Sequence, residues 1–134
     1  MALRRKAREF ALQMLFQWEM GRQQPAAVES GFWKNARAAA PTHAFANQLF
    51  EGAVAEVDAL DALVSQFSEN WRLERLAAID RAILRLALHE LRAGLSPPKV
   101  VINEALELAK KFSSAEAGPF INGILDSAFK SQTK

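Results

Sequence analysis

The 134-residue chain has no cysteine, two histidines and six glycines. Without cysteine there is no disulfide framework, no thiolate nucleophile, no iron–sulfur cluster and no cysteine-ligated zinc. His43 and His89 alone make no histidine-rich metal site. The glycines form neither a dinucleotide-binding G-x-G-x-x-G nor a Walker loop. No apolar run approaches the roughly 18 residues of a membrane span, and Gln13 and Gln17 interrupt the first apolar stretch where a secretory signal would be continuous. No nucleophile beside a base, metal cluster or phosphate cradle has a signature. The carboxylate pairs Asp58/Asp61 and Glu104/Glu107 read as solvated helix faces. The expectation is a cytoplasmic protein away from the membrane, not an enzyme, with no metal and no cofactor.

What is present is an ordinary globular composition, 50% hydrophobic and 24% charged, with a net charge of only +2. The distribution of that charge matters more than its sum. Arg4, Arg5, Lys6 and Arg8 crowd the start of the chain, a focused patch on a nearly neutral body that steers an anionic partner to one place.

Apolar residues recur at helical spacing almost throughout. Residues 3–21 carry Leu3, Ala7, Phe10, Ala11, Met14, Leu15 and Trp18, with Gly21 as an end signal. A shorter helix runs through Phe32 and Trp33 and is stopped by Pro41. Thr42 then caps a long third helix with one continuous stripe, Phe45, Leu49, Ala53, Val57, Leu60, Val64 and Phe67. After a turn or short helix at 73–77, a helix ending near Arg92 is apolar around well over half its circumference and so should be central, with Gly94 as its breaker. Residues 99–112 and a segment from Pro119 onward complete the pattern. The reading is an all-α bundle of about seven helices in two helical subdomains, about 1–70 and about 71–134.

Three groups could carry function. Arg4 and Arg8 stand one helical turn apart, roughly 6 Å, comparable to neighbouring phosphates on a single strand. Cations at a helix N-terminus oppose the macrodipole, so the cluster is either a solvated end or a site waiting for an anion. A second stripe, Arg81, Arg85, His89 and Arg92, has Asp80, Glu90, Glu104 and Glu107 as available partners and reads first as structural ion pairing. The third group is the stretch KKFSSAEAGPFINGILD, residues 110–126, where Lys110, Lys111, Phe112 and Phe120 flank a short polar break. Rings and lysines beside a break suit single-stranded nucleic acid, because splayed bases stack on rings while lysines track phosphates.

The segments RRKAREFALQMLFQWEM, AAIDRAILRLALHEL and VVINEALELAKKFSSAEAGPFINGILD resemble the N-terminal, central and C-terminal motifs of the NusB transcription antitermination family, in its order and spacing. The similarity is weak between about 22 and 70. It implies two packed helical subdomains and antitermination by occupancy: binding of boxA RNA in ribosomal RNA leader transcripts, with the small-subunit ribosomal protein that serves as NusE, in the RNA polymerase antitermination complex. By position it implies RNA contact by Arg4, Arg5, Lys6, Arg8, Lys111, Phe112, Glu116 and Phe120, and a partner-binding face with Phe16 and Asp80, the latter exposed at the start of the central helix. Phe16, Glu116 and Pro119 depart from the family's usual residues. A helical interaction adaptor stays open, as does a stand-alone RNA-binding domain like that of certain ribosomal RNA methyltransferases, whose separate cofactor domain 134 residues leave no room for. Homodimer formation is also open.

Overall fold

A computed structural model of the chain describes residues 2–68 and 76–132. Most of the turn expected at 73–77 lies outside these residues, as does the side chain of Leu3. The described residues form seven α-helices and no strand: α1 (Ala2–Gly21), α2 (Pro25–Trp33), α3 (Ala40–Ala55), α4 (Val57–Phe67), α5 (Ala78–Ala93), α6 (Pro98–Phe112) and α7 (Ala117–Gln132). They divide into two compact units, Met1–Ala55 and Glu56–Lys134. The boundary precedes the expected one near 70 because the long third helix is two helices. Glu56, at φ −106° and ψ 14°, interrupts the helix while the apolar stripe continues across it, and α4 belongs with the second unit.

In the first unit α1 packs on α2 and α3. Its middle is enclosed on every side, with residues 7–12 all buried. Phe10 meets the edges of Phe32 and Trp33 at 5.7 and 5.2 Å. Trp33 also stacks on His43 at 4.0 Å and donates its indole N–H to Asn47 at 2.8 Å, which fastens the end of α2 to α3. Pro25 occupies the first turn of α2, where its missing N–H costs nothing. Pro41 likewise sits in the first turn of α3 and opens that helix instead of stopping the previous one. Thr42 is therefore inside the turn, buried, and does not cap it.

The end of α1 is closed by Arg22, not by Gly21. Arg22 adopts the left-handed conformation at φ 52°, and its N–H donates to the Trp18 carbonyl at 2.7 Å. A left-handed non-glycine residue costs about 1 kcal/mol or more. The cost is offset by the guanidinium lying 4.2 Å over the Trp18 ring and pairing with Glu19 at 2.8 Å.

In the second unit α5 packs against α4, α6 and α7, and every residue from Ala82 to Leu91 is buried, as its nearly all-round apolar surface predicts. Gly94, at φ 66°, ends it in a Schellman arrangement: its N–H donates to the Leu91 carbonyl, and that of Leu95 to the Glu90 carbonyl. Pro119 lies within the first turn of α7, where it displaces no helical hydrogen bond.

Candidate nucleic-acid interface

Arg4, Arg5 and Lys6 are exposed on the first two turns of α1, whose opening turn holds no acidic residue. The Arg4 guanidinium lies 4.4 Å over the Phe45 ring, and Lys6 Nζ lies 5.0 Å over Phe10 and 3.6 Å from Glu9. Arg8 does not join them. Only 3% of it is exposed, because it falls within the enclosed middle of α1, where Ala7, Glu9 and Phe10 are buried as well. Arg8 is thus a buried guanidinium, and the exposed cations of the expected cluster are Arg4, Arg5 and Lys6.

The second unit gathers the other candidates at the break between α6 and α7. Lys110 and Lys111 occupy the last turn of α6, where cations favour the helix dipole. Lys110 pairs with Glu107 at 3.1 Å, while Lys111 Nζ stands 5.6 Å over the Phe112 ring. Phe112 and Phe120 are both half-buried, and Glu116 is exposed. A hollow of about 310 Å³ opens beside the break, with Asp80, Ser114, Glu116 and Phe120 on its walls and Leu76 and Ala117 among its apolar lining.

Asp80 departs from expectation. It is half-buried and its Oδ1 accepts a 2.6 Å hydrogen bond from the Ser113 hydroxyl, which joins the start of α5 to the residue that ends α6. The residue expected on a separate, exposed face shares a hollow with Glu116 and Phe120. Phe16 is on α1 in the first unit; it and Met20, one turn further, are exposed apolar side chains, at 37% and 59%. Ser113 and Ser114 were not singled out from the sequence, although their place between two rings was the available signal.

The arginine stripe of α5 is structural, and its partners include Asp61 and Glu56, which were not among those expected. Arg85 donates from Nε and Nη2 to the two carboxylate oxygens of Asp61 at 2.7 and 2.9 Å. His89 Nδ1 lies 2.7 Å and Arg92 Nε 3.5 Å from the Glu56 carboxylate. Arg81 donates to the Leu76 carbonyl at 2.7 Å. Asp61 is therefore an ion-pair partner and not a solvated acid. Among the described residues no three histidine or acidic side chains are grouped to hold a metal ion, and no helix is long and apolar enough to cross a membrane.

The NusB family profile matches residues 5–130. The chain belongs to the NusB family. This NusB-family chain is 48% identical over 126 residues to the transcription antitermination protein NusB of Koribacter versatilis, covering 92% of this chain and 86% of that protein. It is 45% identical to the protein of the same name from Dictyoglomus thermophilum, covering 91% and 81%. Its fold matches Thermotoga maritima NusB with a TM-score of 0.85 at 33% identity, covering 95% and 90% of the two chains. It also matches a chain in a crystal structure of the antitermination factors NusB and NusE with double-stranded RNA, with a TM-score of 0.86 at 27% identity over 98% of both chains. The family is one of RNA-binding transcription factors.

Proposed function

We propose that this protein is a transcription antitermination factor that binds boxA-type RNA in nascent ribosomal RNA transcripts. It does so together with the small-subunit ribosomal protein that serves as NusE, and the pair joins the RNA polymerase antitermination complex. The observation that carries this reading is the exposed trio Arg4, Arg5 and Lys6 at a helix N-terminus, an arrangement that opposes the helix dipole and concentrates positive charge where an anion can approach. Similarity to proteins named for antitermination supports the biological role. The match to a NusB chain crystallised with NusE and RNA supports the partners.

In this reading the trio and Lys111 neutralise phosphates, Phe112 and Phe120 offer ring faces to bases splayed from the strand, and Glu116 with Asp80 presents acceptors to base N–H groups. Phe16, with Met20 beside it, contributes apolar surface to the protein partner. Function is by occupancy: no bond is made or broken. Such a factor works in the cytoplasm, where transcripts emerge from the polymerase.

The test is a titration of boxA-like RNA, with and without the ribosomal protein, over a range of salt. Sequence-selective, salt-dependent binding that the partner strengthens is expected. Binding that is indifferent to both sequence and partner would leave a general helical adaptor in place of an antitermination factor.

A further inference from the structure

A second hollow opens in the second unit, away from the break between α6 and α7. Its volume is about 450 Å³, within the roughly 300 to 1,000 Å³ of small-molecule sites. Leu63 and Phe67 of α4 and Leu88 of α5 give it apolar walls, and Glu56, His89 and Arg92 supply its charged and polar groups. It lies toward the end of α5, whereas Asp80 lies at the start, so roughly 12 to 18 Å of helix separates Asp80 from Leu88 and Arg92. The two hollows are distinct.

The ion pairs of this second hollow leave hydrogen-bonding capacity unspent. Both Glu56 oxygens are engaged, Oε2 with His89 Nδ1 at 2.7 Å and Oε1 with Arg92 Nε at 3.5 Å. Arg92 makes no other polar contact among the described residues, so its terminal amino groups have no acceptor there, and its side chain is 43% exposed. His89 is only 8% exposed, and its Nε2 has no partner among the described residues. That nitrogen accepts from a ligand O–H when the ring is neutral and donates to an oxygen when it is protonated. Arginine holds a carboxylate through two parallel N–H bonds, and apolar walls that face no partner atoms forfeit dispersion contacts that a ligand supplies.

We propose that this hollow is a binding site for a small carboxylate with an apolar chain, whose head accepts hydrogen bonds from Arg92 while the chain lies against Leu63, Phe67 and Leu88. Glu56 is a positioning residue that fixes the His89 ring and the inner edge of the guanidinium. The site stands apart from the RNA reading and uses none of its residues.

The probe is octanoate, titrated at neutral pH into the isotope-labelled full chain and followed by NMR, with octanol and octylammonium as controls for the head group. Saturable shifts are expected at Leu63, Phe67 and residues 88–92, with residues 113–120 unmoved, and octanoate should bind at least about fivefold more tightly than either control. Arg92→Gln should weaken octanoate about tenfold and leave octanol unchanged. Leu63→Trp fills the hollow and should abolish saturation. Melting curves show which variants fold, and Arg92→Gln, a change at an exposed side chain, decides the matter even if the tryptophan does not fit. Octanol binding as tightly as octanoate, or Arg92→Gln binding octanoate within about twofold of the unmodified protein, would refute a carboxylate site. Shifts that spread without saturating would mean surface adsorption, and shifts at these residues that grow with protein concentration alone would mean that a second copy covers the hollow; either result overturns the proposal.

Discussion

Asp61→Ala removes the carboxylate that faces Arg85 across the α4–α5 packing. The Arg85 side chain is only 4% exposed and that of Asp61 22%, and two parallel N–H···O bonds of 2.7 and 2.9 Å join them. Removing one member of a buried pair leaves a charge in a poor solvent, at a typical cost of about 3 to 5 kcal/mol. Water reaches part of the Asp61 side and softens the loss, so about 2 to 4 kcal/mol of folding stability is expected to go, with a fall in Tm on the order of 10 °C.

Urea and thermal unfolding followed by circular dichroism measure this. The companion variant, Asp61→Leu with Arg85→Met, replaces both charges with apolar volume and is expected to lie within about 1 kcal/mol of the original, since burying no charge incurs no desolvation cost. A single-variant loss below about 1 kcal/mol, or a double variant as unstable as the single, would refute the view that this pair is an enclosed charge requiring its counter-charge. RNA affinity per folded molecule should be unaffected by Asp61→Ala, because the pair lies outside the candidate interface.

Arg8→Ala should lower thermal stability by about 1 to 3 kcal/mol and leave the salt slope of RNA binding intact, the reverse of Arg5→Ala; melting and salt titrations of both check this. The Glu29 carboxyl is pushed up to about 7, first by burial and then by its hydrogen bond with Glu51 and the like charge there. Its pKa is raised on folding, so it favours the fold below about pH 4.5 and that contribution is lost as pH rises through about 7. Glu29→Gln should therefore be the more stable protein at pH 8, by on the order of 1 kcal/mol, with the difference shrinking at pH 5; equal differences at both would contradict it. Phe120→Ala should weaken RNA binding by about 1 to 3 kcal/mol with a smaller loss of stability, since the ring is only half-buried beside the hollow; a melting loss of core size without a binding defect would make Phe120 a packing residue.

Periodicity made most of the helices legible, and Gly94 marked the end of α5 because only a residue tolerant of φ 66° closes that turn without strain. The break at Glu56 was not legible. The stripe from Phe45 to Phe67 passes through it in steps of three and four, and the nearest glycine, Gly52, lies upstream inside α3. The burial of Arg8 was not legible from its charge alone; the sign of it is the run of neighbours Ala7, Phe10, Ala11 and Leu12, all of which are buried. The Asp80–Ser113 bond joins residues 33 apart, and one sequence carries no sign of which distant polar groups meet.

Each unit contains one helix whose middle is closed off from solvent, α1 over residues 7–12 and α5 over Ala82–Leu91. Charges on those stretches, such as Arg8 and Glu90, are inside and have structural duties. What an enclosed helix can still show a ligand is its ends, where the chain emerges and where unpaired backbone groups create a local field. The candidate residues follow that logic. Arg4, Arg5 and Lys6 precede the closed part of α1, and Asp80 precedes the closed part of α5. Lys111 and Phe112 end α6, and Phe120 lies in the opening turn of α7, just beyond the break that holds Glu116. Apart from Phe16, the expected binding residues that reach solvent lie at helix ends or in that break, so substitutions there should change binding more than folding, and substitutions within the closed stretches should do the opposite.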